Sequence, residues 1–536
     1  MKMLDYISVC LCGVTHPYYM NERLYFSWKK YVKNLDQVLK QLEEHSLIAV
    51  GVAPYQRIIP ALFMPRDNYQ IYCVRYSRDI DVLRNYASIF CLEEKNPELA
   101  DKVQATTYLV KNYQFLNYVR NRKVPAKLLF YQTNPAIVKA LDEQKVPWVG
   151  NNPDIFDPIL HKDGFRDVLQ KLKLAHLPFW NMSVEDYRKQ TYEQLLKRWR
   201  RPLVVQPGDY EVVGSTQFVK NQQDLEKAQA AYDLAKFQKV KQVKISPFIE
   251  GDSLSMLGCI THKGVLTSPL QLQHIDVPES LSGSESMGTF FGHDWGYRSW
   301  STGAEMDAQI TVEAIGKWLA KRGYKGIFGV DFVYDKKKDF LYPLECNPRF
   351  TGAIPVYSQV NLLNGVPPID FFTVAEFLDI KIDFDFDAVN NAWKKPTNAS
   401  HIAISPSGVS HMPIDMDAGI YSYNFTSKRL RYERPGAFLH ELRRPDELIV
   451  IDQVLTPGTA VIQNAPRLFK FVIPHSIAEG SFSVTEHYRV LLQKVAAALK
   501  QGGYKPNVLK ESSNSVPVGV SASNADVPAT SESQDE

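Results

Sequence analysis

The sequence is poor in cysteine and contains no long apolar run. Its six cysteines form no CxxC pair and no spacing suited to zinc, so neither a zinc-binding nor a disulfide-rich fold is expected. No run of about 18 apolar residues occurs, which argues against a transmembrane helix. The apolar stretch at the start is too short and interrupted for a signal peptide. We therefore expect a cytoplasmic protein with reduced thiols.

Excess charge is also missing, because the formal net charge is only +3. We therefore expect neither nucleic acid nor a membrane as a partner. The expected partners are small-molecule substrates. No GxGxxG follows the first predicted strand, so the dinucleotide-binding fingerprint is absent. A hydrophobic share of 45% is that of an ordinary globular protein, and 536 residues require roughly two to four packed units. The oligomeric state is not indicated.

The order of predicted elements gives a mixed α/β and α+β protein. Short apolar runs alternate with helical patterns over residues 46–150, which is typical of a parallel α/β unit. A helix is predicted at 161–174. Strands then dominate up to residue 347, apart from a helix at about 305–322, and residues 400–475 resemble a smaller β-rich unit. The stretch from Pro506 onward has no aromatic residue and predicts a disordered tail.

Two predicted strands at 326–335 and 339–347 form a hairpin around Lys337. With the turn centred there, one face is expected to carry Asp331, Glu345 and Asn347, and Gly329 lies opposite Glu345. The other face is expected to be apolar, with Phe328, Val330, Phe332, Tyr334, Tyr342, Leu344 and Cys346. Two carboxylates and an amide oxygen suit a hard divalent cation such as magnesium. A hairpin with one solvated face is the alternative.

The stretch Glu345-Cys-Asn-Pro-Arg349, with Asp331 on the preceding strand, resembles the magnesium motif of ATP-grasp enzymes. The similarity runs over about 150–380, and the layout resembles carboxylate–amine ligases with a pre-ATP-grasp domain. The resemblance implies ATP and two magnesium ions, with Mn²⁺ as the alternative metal, held by Asp331, Glu345 and Asn347. Arg349 would act as a catalytic residue beside the transferred phosphoryl group.

The resemblance also implies a domain order. An N-terminal α/β pre-ATP-grasp domain would occupy residues 1–150, and an ATP-grasp core of two α+β subdomains residues 151–385. A small C-terminal β-rich extension with a terminal helix would follow at 386–505, and the disordered tail at 506–536.

Three places resemble the phosphate-binding part of the nucleotide cleft. Lys162 opens a predicted helix and is similar to the lysine that reaches the α and β phosphates. Gln206 stands where the family has a second phosphate-contacting lysine, so a charge is missing there; Lys220 or Lys244 is the candidate to replace it. Ser215 and Thr216 end a glycine-containing loop whose hydroxyls could bind phosphate oxygens.

The segment 244–251 resembles the hinge that receives adenine. Pro247 and Ile249 would offer backbone groups to the base, and Phe248 an apolar contact. Ser253 stands where the family often has a ribose-binding glutamate, as Ser246 does for adenine. These departures leave the nucleotide preference open.

Residues 279–301 contain several glycines and aromatic residues between the strands and the metal hairpin. We hypothesise that this segment is a lid over the acyl phosphate, because glycines permit hinge motion and aromatics exclude water. Arg298 would then be a second catalytic residue, since its planar fork suits a carboxylate or an acyl phosphate. A surface loop packed by its own aromatics is the alternative.

Three functions follow from these motifs. The first is a ligase that activates a carboxylate as an acyl phosphate, which an amine attacks to give an amide and ADP. The second is a carboxylating enzyme of the biotin carboxylase type, although no biotinyl-lysine context occurs. The third is a non-catalytic nucleotide-binding regulator, which the departures at Gln206, Ser246 and Ser253 would suit.

Overall fold

The structure is a computed structural model. It describes residues 20–100, 106–122, 125–130, 132–208, 216–280, 288–406, 408–461 and 467–501. The predicted tail from 506 and Ser215 lie outside these residues. In the part of the chain that is described, no helix has the length and apolar content needed to cross a membrane.

The N-terminal part is built on a five-stranded parallel sheet in the order β3-β2-β1-β4-β5. Its strands are β1 Ser46–Gly51, β2 Tyr69–Cys73, β3 Ser88–Cys91, β4 Ala126–Phe130 and β5 Trp148–Val149. Its helices are α1 Glu22–Trp28, α2 Leu35–Glu43, α3 Asp79–Leu83, α4 Leu92–Lys95, α5 Pro97–Ala100, α6 Thr106–Leu109, α7 Tyr113–Arg120 and α8 Pro135–Glu143. Every residue of β1 is buried, as expected of a central parallel strand covered on both faces. The predicted α/β unit is confirmed.

A four-stranded antiparallel sheet follows, in the order β6-β9-β7-β8. Its strands are β6 Trp180–Ser183, β7 Leu203–Pro207, β8 Gln217–Val219 and β9 Gln242–Pro247. The helices are α9 Pro153–Leu160, α10 Lys162–Lys171, α11 Val184–Arg188, α12 Tyr192–Trp199 and α13 Gln222–Ala231. Alternate residues of β7 pack into a separate apolar core, so the residues between them, Val204 and Gln206, lie on the opposite face.

The remaining strands form an eleven-stranded sheet, with the path β15-β14-β10-β12-β13-β16-β20-β19-β17-β18 and β11 paired to β10. They are β10 Asp252–Thr261, β11 Gly264–Thr267, β12 Gln271–Ile275, β13 Phe290–Asp294, β14 Gly326–Asp335, β15 Phe340–Asn347, β16 Ser400–Ile404, β17 Gly419–Asn424, β18 Arg429–Arg434, β19 Glu447–Ile451 and β20 Phe469–Ile473. A two-stranded ribbon comprises β21 Ala478–Gly480 and β22 Ser483–Val484. The helices are α14 Thr302–Ala320, α15 Ile354–Leu363, α16 Ile369–Phe377, α17 Phe386–Trp393 and α18 Glu486–Gln501.

Strand β13 joins the two halves of this sheet. It pairs with β12 on one side and with β16 on the other, where His293 lies opposite His401. The β-rich segment predicted at 400–475 therefore extends the central sheet. The pairing also shows that the lid prediction is wrong for residues 290–294, which are held in the sheet by two neighbours. Residues 281–287 of the predicted lid lie outside the described part.

The hairpin of β14 and β15 confirms the shared face but corrects its register. Asp331 lies directly opposite Glu345, and Gly329 lies opposite Asn347 instead of Glu345. A bulge after Asp331 adds one residue to β15, so Tyr334 pairs with Leu341. Leu341 therefore packs in the apolar core, where Tyr342 and Leu344 had been expected.

A buried ion pair stabilises the C-terminal strands. Both terminal nitrogens of Arg434 donate to the Glu447 carboxylate at 2.8 Å, and the backbone N–H of Arg443 donates to it at 2.7 Å. The bonds from Arg434 are the main cause that lowers the pKa of Glu447 to about 2. The ionised carboxylate thus favours the folded state.

We expect Glu447→Gln to lower the free energy of unfolding at pH 7 by more than it does near pH 3. A depressed pKa contributes stability above the unfolded value, near 4.5, and that contribution is lost as the pH falls towards about 2. Urea unfolding of both proteins at several pH values measures the difference. Glu185→Gln, in an exposed pair with Lys189, is the control and should change stability little, because solvent screens the pair. An equal loss at both pH values would contradict the assignment.

Candidate active site

A cavity of about 500 Å³ is lined by residues from the four-stranded sheet and the eleven-stranded sheet. Its size suits a ligand as large as a nucleotide. Ten of the predicted site residues line it: Gln206, Thr216, Pro247, Phe248, Ile249, Ser253, Asp331, Glu345, Asn347 and Arg349. Lys162 begins α10, but its side chain is not among the described parts.

The acidic end of the cavity consists of Asp331, Glu345 and Asn347. The Asn347 side-chain nitrogen donates to Asp331 Oδ2 at 2.9 Å and to Glu345 Oε1 at 3.5 Å. Gln273 Nε2 donates to the other Asp331 oxygen at 3.0 Å. Burial, and then the charge of Glu345, raise the pKa of Asp331 well above its usual range.

This arrangement fits a divalent cation. Two carboxylates held together in a buried position repel each other, and an oxygen-binding cation would relieve that repulsion. Across the described residues, no group of three or more His, Cys, Asp or Glu is placed to hold a metal. The donor set here is instead two carboxylates and one amide, and the Asn347 amide would have to turn its oxygen inward.

Arg349 places a cation next to these groups. Its Nη2 donates to Asn347 Oδ1 at 3.0 Å, and its Nη1 donates to the Phe350 carbonyl at 3.3 Å. The guanidinium is therefore held at the cavity wall beside the acidic pair. A fixed planar fork in this position can bind phosphoryl or carboxylate oxygens.

The other end of the cavity is apolar. Pro247 ends β9, and Phe248 and Ile249 follow it. The Phe248 N–H donates to the Pro202 carbonyl at 2.8 Å, which ties the segment to the start of β7. The rings of Phe218 and Phe248 pack edge to face with centroids 5.5 Å apart. Such a wall offers apolar contact to a planar base.

Ser253 has a different partner from the one that sequence reasoning suggested. Its hydroxyl donates to Gln273 Oε1 at 2.6 Å, and Gln273 in turn donates to Asp331. Gln273 was missed, because a glutamine in a short strand belongs to no motif. Residues 271–274 of β12 are all buried, and a buried polar side chain needs a partner, but this burial is visible only in the structure.

Other charged or titratable residues also line the cavity wall. Arg166 of α10 lines the cavity and is 4% exposed, and Lys244 of β9, one of the two candidates for the missing charge, is 9% exposed. His293 lies on the wall with its Nδ1 3.0 Å from His401 Nε2. Burial lowers the pKa of both imidazoles, so this pair is neutral near pH 7.

The structure does not bring Arg298 to this site. Its Nη1 donates to the carbonyls of Trp295 and Tyr297, at 3.2 and 2.8 Å, and its guanidinium lies 5.1 Å from the Trp300 ring. Among the described residues that line the cavity, Arg298 is absent. Its contacts are those of a residue that fixes the loop between β13 and α14, so the catalytic prediction for Arg298 finds no support in this geometry.

Known proteins share both sequence and fold with this chain. A sequence profile of the ATP-grasp domain matches residues 169–353. The arginine-specific carbamoyl phosphate synthase large chain of Geobacillus stearothermophilus is 24% identical over 237 residues, which are 44% of this chain and 20% of that protein. The chain thus spans about a fifth of this relative's length.

Two solved structures show the fold over most of the chain. Biotin carboxylase from Campylobacter jejuni, in its β-γ-ATP complex, has a TM-score of 0.55 at 13% identity, over 84% of this chain and 95% of that one. The biotin carboxylase domain of Hydrogenobacter thermophilus 2-oxoglutarate carboxylase, with bound MgADP, has a TM-score of 0.53 at 12% identity, over 87% and 97%. Together with the sequence match over residues 169–353, this similarity shows that the chain contains an ATP-grasp domain.

Proposed function

We propose that the protein is an ATP- and magnesium-dependent ligase that joins a carboxylate to an amine through an acyl phosphate. A carboxylate oxygen would attack the γ-phosphorus of ATP, with ADP as the leaving group. The amine would then attack the acyl carbon and release phosphate. The observation that supports this most is the single cavity with the apolar wall at 247–249 and the acidic groups beside Arg349.

Asp331, Glu345 and Asn347 would hold the metal, since all three project into the same part of the cavity. Bound there, magnesium would neutralise charge on the transferred phosphoryl group. Gln273 fixes one oxygen of Asp331 and so directs the other towards the site. Arg349 would bind the oxygens of the transferred group, and its bond to Asn347 limits the orientations it can adopt.

Bicarbonate is a second candidate for the carboxylate. The sequence relative is a carbamoyl phosphate synthase chain, and biotin carboxylases share the fold. The same groups could phosphorylate bicarbonate, which is itself a small carboxylate. A regulator without catalysis is the third candidate, supported by Gln206 in place of a lysine.

An ADP-release assay distinguishes these functions. We expect ADP when magnesium, ATP, pooled carboxylic acids and pooled amines are all present, and little ADP when the acids or amines are left out. With the carboxylate labelled by ¹⁸O, one labelled oxygen should appear in the released phosphate, because the acyl phosphate is cleaved at its carbon–oxygen bond. Release with bicarbonate alone would favour the second candidate. Nucleotide binding without ADP release in any mixture would contradict catalysis.

We expect Glu345→Gln to lower magnesium-dependent turnover by about a hundredfold or more, because one anionic ligand is lost where charge must be stabilised. Asp339→Asn is the matched control, since it changes a carboxylate to an amide at the far, exposed end of the same hairpin. Turnover is measured as ADP release, and circular dichroism confirms folding. Near wild-type turnover of Glu345→Gln would refute the metal assignment.

A further inference from the structure

We infer that Lys244 and Arg166 bind the nucleotide phosphates and replace the charge that is missing at Gln206. The inference rests on the proposed nucleotide site and concerns how this chain builds it. A phosphate chain bound in a cavity needs cations that are already fixed there, because water is excluded. At Gln206 the chain offers only a neutral amide, whose nitrogen donates to Thr216 Oγ1 at 2.8 Å.

Lys244 lies directly opposite Gln206 on the neighbouring strand, in the antiparallel pairing of β7 with β9. Residues paired in this way project to the same face, with Cβ atoms about 5 Å apart. Both line the cavity. The flexible stem of a lysine can span that separation, so a charge on β9 can serve the same region as a charge on β7.

Arg166 provides a second cation on the same wall. It lies on α10 and lines the cavity. Its Nε and Nη1 are buried and have no hydrogen-bond partner. Buried charged donors are costly to leave unpaired, so these two N–H groups indicate an anionic ligand at the cavity wall.

The two cations share one aromatic neighbour. The Arg166 guanidinium lies against the ring of Phe179, and Lys244 Nζ lies 5.6 Å from the centre of the same ring. Asp163 is the nearby carboxylate that interacts with both, and it is also bonded to Asn181 Nδ2 at 2.8 Å. Asp167 interacts with Arg166 as well, but it is exposed, so solvent weakens its effect. Two buried cations on one wall of the cavity suit a polyanion such as a di- or triphosphate.

We expect that exchanging Lys244 and Gln206 between the two strands restores the phosphate binding that loss of Lys244 removes. We expect Lys244→Gln to weaken ATP and ADP binding about ten- to hundredfold and to leave adenosine binding unchanged, because a charge-assisted bond to phosphate is lost. In Gln206→Lys/Lys244→Gln the charge returns on the other strand, and binding should recover to within about threefold of wild type. Calorimetric titration of the full chain with ATP, ADP and adenosine measures all three affinities.

Arg166→Gln should weaken ATP and ADP binding by a similar factor. Lys220→Gln is the matched control: Lys220 is exposed near β8 and does not line the cavity, so its removal should change no affinity. Circular dichroism shows whether Lys244→Gln folds. If it does not, Lys244→Met replaces it, because methionine keeps the volume of the lysine stem without its charge.

Three results would overturn the inference. Wild-type ATP affinity in both single variants means that these cations do not bind phosphate. Equal losses for ATP and adenosine mean that they only shape the cavity. If the wild-type chain binds neither ATP nor ADP, the proposed function itself fails, whereas the first two results leave it standing.

Discussion

The site depends on the pairing of β14 with both of its neighbours. Asp331 is opposite Ser255 of β10 on one side and opposite Glu345 of β15 on the other. Antiparallel pairing thus fixes two carboxylates at neighbouring positions of a rigid sheet. Their mutual repulsion is opposed by the hydrogen bonds of the strands and by the amides of Gln273 and Asn347. A bound cation would neutralise the two carboxylates, which the paired strands hold close together.

Features of the fold and the site could be predicted from the sequence when the pattern that indicates them lies within a single strand or helix. Alternation along 326–347 placed Asp331, Glu345 and Asn347 on one face, since a period of two is a property of each strand alone. The bulge after Asp331 was not predictable, because it inserts a residue without any change in composition. It moves Leu341 into the core and brings Leu344 to the cavity wall.

Long-range pairing was the other limit. The parallel unit at 46–150 and the β-rich character of 400–475 were both read from local patterns. The pairing of β13 with β16 could not be predicted from such patterns, since the paired residues are more than a hundred positions apart in the chain. Among the glycines and aromatics that suggested a lid, Phe290, Phe291 and Gly292 belong to this strand. Gly292 fits there because a side chain would meet the His401 carbonyl.

The departures from the family pattern have physical counterparts elsewhere in the cavity. Ser253 donates to Gln273, and Gln273 donates to Asp331, so these three residues form one chain of hydrogen bonds across the sheet. A glutamate at position 253 would place a third carboxylate beside Gln273 and compete with Asp331 for its side chain. Serine avoids that competition. The neutral Gln206 is similarly matched by Lys244 on the facing strand, where a lysine at both positions would set two buried cations side by side. The pairing of strands thus determines which side chains face each other in the cavity, and a motif read along the chain does not reveal it.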